Sequence, residues 1–173
     1  SRAVVLISLE AGRPSAASRR FLRSCGAGRL QLYGDVTPQA VAALRRGGFE
    51  TVVPFPVSGE ESLTHIDSFV SACAAVPPDY LLFDAAHPER VGGTGTRADW
   101  NAIEQWHGMG RINSWPPFII AGGLTPGNIG DVVRTFSPAG VDVSSGVESA
   151  PGRKDQALVH AFIAAARAAT QNR

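Results

Sequence analysis

Short, continuous apolar runs recur along the chain at residues 3–9, 29–32, 50–54, 80–84, 118–121 and 141–144, each bounded by Gly, Pro, Ser or Asp. Continuous rather than alternating apolarity marks strands covered on both faces, as parallel sheets require. Segments with helical spacing lie between these runs. Residues 15–24 place Ala17, Phe21 and Leu22 on one face, residues 38–46 follow Thr37 as N-cap with Pro38 at the first helical position, and residues 63–75 carry Ile66, Phe69, Val70 and Cys73. Helical segments at 99–106, 127–136 and 155–169 complete the set, the last of them Ala-rich. Six alternations of strand and helix predict right-handed βαβ units and a parallel sheet, either an open doubly wound sheet or a (β/α) barrel. With no fixed-period repeat, low-complexity tract or dividing linker, the expectation is one domain over residues 1–173.

Composition narrows the function classes. Of 173 residues 44% are hydrophobic, and 16 basic residues balance 15 acidic ones for a net charge of +1, which excludes a disordered or collagen-like chain. Lys154 is the sole lysine, and no basic stripe interleaved with aromatics is present, so nucleic acid is not the expected partner. No apolar run approaches the roughly 18–20 residues that span a bilayer, and no signal-peptide pattern precedes the first strand, so the expected location is the cytoplasm, away from membranes. Cys25 and Cys73 form neither a disulfide framework nor a metal pattern and read as thiols buried or half-buried in helices.

In both parallel architectures ligands bind at the C-terminal ends of the strands. That rule selects Glu10, Arg13, Gln31, Tyr33, Gly34, Asp35, Phe55, Pro56, Asp84, Gly92, Gly93, Thr94, Gly95, Gly122, Gly123, Asp142, Ser144, Ser145 and Gly146. The last two loops are the most specific: residues 118–124 end on Gly122-Gly123, and residues 141–148 end a strand on Ser144-Ser145-Gly146. Glycines let a backbone approach a ligand and turn its N–H groups toward an anion, and consecutive terminal loops of (β/α)8 enzymes often hold a phosphate in this way. A phosphate site is the favoured reading of the pair, although each loop singly also serves as a tight strand-to-helix turn. Asp84 ends a strand, where partial desolvation would suit a general acid and a loop-capping role is equally open. Asp142 is expected within an apolar strand, satisfied by a sugar hydroxyl or by a bond to a neighbouring strand. The loop Gly92–Gly95 could fold over a ligand or simply turn, and lacks GxGxxG or P-loop spacing. His65, His87, His107 and His160 have no metal-ligand spacing, and only His87, close after Asp84, stands near candidate chemistry.

Taken in order, the segments 31–35 (QLYGD), 81–84 (LLFD) with 92–95 (GGTG), Asp99 and Trp100, 121–124 (AGGL) with Pro126 and Asn128, and 141–148 (VDVSSGVE) with Gly152, Lys154 and Asp155 resemble phosphoribosylanthranilate isomerase, an enzyme of tryptophan biosynthesis. The likeness runs nearly end to end. It implies a (β/α)8 barrel, with the six units here matching strands 3 to 8 of the family pattern. It further implies an aldose–ketose isomerisation, the Amadori rearrangement of N-(5'-phosphoribosyl)anthranilate to 1-(2-carboxyphenylamino)-1-deoxyribulose 5-phosphate, without metal or organic cofactor. By the resemblance Asp84 is the general acid, Gly122, Gly123, Ser144, Ser145 and Gly146 bind phosphate, and Asp142 contacts substrate at the end of the last strand. Gln31, Tyr33, Gly93 and Gly95 would line the mouth.

The chain departs from the family pattern in two places. Tyr33 replaces the family's His. The Lys-Ile-Cys-Gly type strand that carries the general base, and the arginine that grips the anthranilate carboxylate, are not contained in this sequence, whose residues 3–9 align with the family's third strand. Cys25 follows a helix, remote from the strand ends, and does not replace that base; Glu10 or Asp35 are the conceivable substitutes. The expectation is therefore a piece of the barrel lacking about two N-terminal βα units, which binds phosphate or a product analogue without turnover. The alternatives are a non-catalytic remnant, acting as a phosphate-binding or assembly module and self-associating through its open first strand, or a different phosphosugar-binding barrel.

Overall fold

The structure, a computed structural model, describes residues 4–9, 15–85 and 100–171. Glu10, Arg13, His87 and the loop Gly92–Gly95 lie outside the described residues. The elements run β1 (Val4–Leu9), α1 (Ala16–Ser24), β2 (Arg29–Gly34), α2 (Pro38–Arg46), β3 (Glu50–Val57), α3 (Glu60–Ala72), β4 (Tyr80–Ala85), α4 (Trp100–Gly108), β5 (Phe118–Ile120), α5 (Ile129–Phe136) and β6 (Gly140–Val141). A 3₁₀ turn (Ser145–Val147), a short hairpin of β7 (Glu148–Ala150) and β8 (Arg153–Lys154), and helix α6 (Gln156–Gln171) complete the chain. All six expected strands are present, with shifted ends. The last is only two residues long, so Asp142 and Ser144 lie beyond it.

Contacts divide the chain into two compact units, one of residues up to Phe55 with Thr64–Leu82 and Trp115–Pro117, the other of Pro56–Leu63, Phe83–Ser114 and the residues from Phe118 onward. In the first unit β1, β2, β3 and the start of β4 lie side by side in chain order, β1–β2 and β2–β3 being parallel. Its core holds Leu30, Leu32, Val41, Leu44, Val52, Ile66 and Leu81, all almost fully buried. Ser15 and Thr37 start α1 and α2 as side-chain caps, accepting from the N–H of Ser18 at 3.0 Å and of Ala40 at 3.2 Å. At the N-terminal ends of its strands Asp79 accepts from Arg45 at 2.7 Å and from the buried Thr51 N–H at 2.9 Å, and Arg29 pairs with Glu50 at 2.7 Å while lying over Tyr80.

In the second unit the end of β4, β5 and β6 again follow chain order, β5–β6 being parallel. Phe83 stacks on Phe118 with centroids 5.1 Å apart, and Ile103, Trp106, Ile120, Leu124, Ile129, Phe136 and Phe162 are buried. Helices α5 and α6 pack on each other, and their buried residues include Val132, Val133 and Phe136 on α5, the last with its ring against Trp100 and His107, and Phe162 and Ala169 on α6. A doubly wound sheet reverses its strand order at a switch point. Neither unit contains a reversal, so of the two architectures the sequence left open the strand order favours one-way winding, as in barrels.

Several burial expectations are corrected. On β1 Leu6 is 64% exposed and Ser8 exposed, and β2 alternates, burying Leu30 and Leu32 while Gln31 and Tyr33 reach outward. Of the expected face of α1 only Leu22 is buried; Phe21 is 67% exposed and Ala17 exposed, because within this unit α1 is covered along one narrow line. Cys25 is exposed and caps the end of α1, whereas Cys73, just past α3, is buried, which pushes its thiol pKa up. Phe55 belongs to the core, edge-on to Phe69 at 5.2 Å and near His65, rather than to a strand-end rim. Among the described residues no His, Cys, Asp and Glu group could hold a metal, and no helix is long and apolar enough to cross a membrane.

Candidate functional site

The second unit collects most of the candidates at the C-terminal ends of its strands. Strand β5 stops at Ile120, and Ala121 still donates to the Phe83 carbonyl at 2.7 Å before the chain turns through Gly122 at φ +82° and Gly123 at φ +65°. Two consecutive left-handed residues are unfavourable for any side chain with a Cβ, so this turn demands glycine. Asn128 then fixes the loop from inside. Its Oδ1 accepts from the Thr125 N–H at 2.8 Å, and its Nδ2 donates to the Gly123 carbonyl at 2.9 Å. Asn128 stands at the N-cap of α5 but makes no capping bond there; its side chain serves the preceding loop instead.

After β6 the Asp142 N–H donates to Ile120 at 2.8 Å, the last rung between the two strands. Ser144 departs from regular geometry at φ −117°, ψ −92°, and the 3₁₀ turn begins at Ser145. Gly146 touches the first loop directly: a Cβ placed on it would overlap the Leu124 carbonyl oxygen far inside van der Waals contact. The two loops thereby meet where Gly146 lies against Leu124 and Thr125, and Gly122, Gly123, Ser145 and Gly146 are each half-buried.

The hairpin closes one side of this loop pair. Lys154 Nζ donates to the Ser144 carbonyl at 2.9 Å, to Ser144 Oγ at 3.3 Å and to Glu148 Oε1 at 2.7 Å. Glu148 Oε2 accepts from the Gly152 N–H at 3.0 Å. The bond from Lys154, followed by that from Gly152, holds the Glu148 carboxyl below its ordinary pKa. The Asp155 N–H donates to Val147 at 2.8 Å, while its carboxylate accepts from the Leu158 N–H at 3.0 Å and starts α6.

Asp84 lies in β4 directly after the buried Leu81-Leu82-Phe83, as expected, but it is exposed, so the described residues do not supply the desolvation reasoned for it. Asp142 is a clearer correction. It is exposed beyond β6 rather than enclosed in a strand, so water solvates the carboxylate and no buried partner is required. In the first unit the Gln31 amide donates to Tyr33 Oη at 2.8 Å, and Gly34, at φ +78°, lets β2 close on the end of β1, where an added Cβ would come within 2.5 Å of the Leu9 carbonyl oxygen. Sequence reasoning left three residues without a role: Asn128, Glu148 and Lys154. Their signals were an Asn three residues after Thr125 and a Glu and Lys flanking Pro151-Gly152, each readable only once the partners were located.

The family model of N-(5'-phosphoribosyl)anthranilate (PRA) isomerase matches residues 19–165. N-(5'-phosphoribosyl)anthranilate isomerase of Rhodospirillum centenum is 40% identical over 155 residues, covering 86% of this chain and 67% of that protein. The isomerase of Myxococcus xanthus is 38% identical over 149 residues, covering 86% and 65%. The chain thus spans about two thirds of the length of these curated relatives. Among solved structures, phosphoribosyl anthranilate isomerase of Thermotoga maritima superposes with a TM-score of 0.74 at 24% identity, over 95% of this chain and 72% of that one, which shows the shared (β/α)-barrel family fold. With 147 of its 173 residues inside the matched span (19 through 165) and its motifs at successive strand ends, this chain belongs to the N-(5'-phosphoribosyl)anthranilate isomerase family.

Proposed function

We propose that the chain supplies the phosphosugar-binding and acid-donating part of the isomerisation of N-(5'-phosphoribosyl)anthranilate. The observation that carries this reading is the packing of Gly146 against Leu124, which brings two glycine-bearing loops to one place. Gly122, Gly123, Ser145 and Gly146 would present backbone N–H groups to the 5'-phosphate, with the Ser144 and Ser145 hydroxyls as further donors. Asp84 would protonate the furanose ring oxygen as the C1–oxygen bond breaks. The resulting iminium then loses its C2 proton to a base, and the enolamine becomes the ketose. Asp142, exposed at the end of β6, is suited to accept a bond from a sugar hydroxyl. In the first unit Gln31 and Tyr33, bonded to each other, present an amide and a phenol at the end of β2.

No residue among these fills the role of the C2 base, and the sequence contains no Lys-Ile-Cys-Gly type strand. The expected behaviour is binding of inorganic phosphate and of a product analogue, with turnover appearing only when two βα units bearing that strand precede residue 1. Calorimetric titration with both ligands and a turnover assay on the two forms test this. Absence of phosphate binding overturns the site; full turnover by the 173-residue chain overturns the account of the base. In the extended form Asp84→Asn is expected to abolish turnover and retain phosphate binding.

A further inference from the structure

The ammonium of Lys154 has three N–H bonds and three acceptors: the carbonyl and hydroxyl of Ser144 and the carboxylate of Glu148. All its donors are therefore committed within the protein. A lysine meant to grip a phosphate would leave donors directed at the ligand, whereas here the charge is neutralised by Glu148 at 2.7 Å. Glu148 is itself anchored, its second oxygen taking the Gly152 N–H, and its side chain is only 13% exposed.

The bond to the Ser144 carbonyl has a geometric consequence. The Ser144 carbonyl and the Ser145 N–H belong to one trans peptide plane and point in opposite directions. Fixing the oxygen toward Lys154 fixes the hydrogen of Ser145 away from it. The same carbonyl also accepts from the Val147 N–H at 3.3 Å, so its direction is held from two sides.

We infer that Lys154, oriented by Glu148, is a positioning residue that sets the Ser144–Ser145 peptide plane and so aims the Ser145 N–H at the phosphate. The inference rests on the phosphate reading of this loop pair and adds to it a pair of residues that never touch the ligand. It differs in sign from a simple charge effect. If Lys154 merely attracted the anion, removing the negative charge of Glu148 would tighten phosphate binding. If Glu148 holds Lys154 on the Ser144 carbonyl, removing that charge weakens binding.

Inorganic phosphate titrated into the whole chain reads the difference. Loss of a charge-assisted bond that organises the donor is expected to weaken phosphate by about tenfold in Lys154→Met, and by several-fold in Glu148→Gln. Ser149→Ala, which removes only the Ser149–Arg153 bond in the same hairpin, is expected to bind like the parent and controls for loosening of the hairpin. Tighter or unchanged binding by Glu148→Gln overturns the inference. Failure of the unsubstituted chain to bind phosphate overturns the underlying site instead. Should a variant not fold, the parent chain still decides: on phosphate addition the Ser145 and Gly146 amide resonances are expected to move while the Lys154 ammonium resonance stays. A Lys154 shift as large as theirs marks a direct ligand and refutes the positioning role.

Discussion

Gly146 and the carbonyl of Leu124 approach each other so closely that no side chain fits between them. The conformational freedom of glycine is not the issue at this position, since Gly146 is not among the residues with positive φ. The constraint is space, and the obstacle is backbone, which cannot swing aside as a side chain could. Gly146→Ala is expected to cost about 2–3 kcal/mol by forcing the loops apart, and to abolish phosphate binding with it. Gly152 makes a useful contrast: at φ +76° with nothing within 4 Å of an added Cβ, its replacement by Ala costs only the left-handed backbone, about 1 kcal/mol. Urea unfolding of the two variants separates the costs.

Asn128 satisfies one N–H and one carbonyl of the loop it follows. Asn128→Ala leaves both half-buried groups to find water. The expected loss is about 1–2 kcal/mol of stability, with a clear drop in phosphate affinity as the loop relaxes. Asn128→Asp keeps the acceptor for Thr125 but presents an oxygen to the Gly123 carbonyl, and should be no better than Ala. Paired unfolding and phosphate titrations check both outcomes.

In the first unit Asp79 joins Arg45 and the backbone of Thr51 across three segments. Thr51 is fully buried, so losing its partner strands a backbone N–H away from water. Asp79→Ala is expected to destabilise by about 2–3 kcal/mol without contacting any ligand. A shift in the urea midpoint at constant slope would show that stability fell with the surface exposed on unfolding unchanged.

The bond from Lys154 holds the Glu148 carboxyl below its ordinary range, so protons bind it less readily in the folded chain than in the unfolded one. Its contribution to stability is then complete above the ordinary carboxylate pKa of about 4.3 and is lost only as the pH falls through the lowered value. Lys154 faces it across the hairpin, Gly152 donates from the turn, and Asp155 is turned toward α6. The stability difference between the parent chain and Glu148→Gln should stay constant from about pH 8 to about pH 5 and close below the ordinary carboxylate range. A difference that closes near neutrality would contradict this.

Much of the fold was legible because its strands announce themselves: Leu81-Leu82-Phe83 and Phe118-Ile119-Ile120 are too continuous and too short to be helices. Strand order was legible only through the family resemblance, since hydrophobic period says which face is covered and nothing about which strand is the neighbour. The hairpin at 148–154 escaped because it has no apolar alternation; it is held by the Pro151-Gly152 turn and the Glu148–Lys154 pair. The apolar run around Asp142 reads as a strand, but the ladder ends at Val141, where the chain leaves to form the Ser144 bend. Phe21 fitted the apolar face of α1 by spacing, yet burial depends on a neighbouring surface that spacing cannot reveal.

Lys154 is the only lysine in these 173 residues and lies 49% exposed on the wall of the candidate phosphate loops. Any reagent directed at lysine ammonium groups therefore has one side-chain target here, and that target is bonded to Ser144. Acylation would consume the charge and leave one N–H where three are used. Immobilising the chain through its lysine, as sensor surfaces commonly do, would tether it by the very group that orients the loop, so affinities measured that way would describe a distorted site.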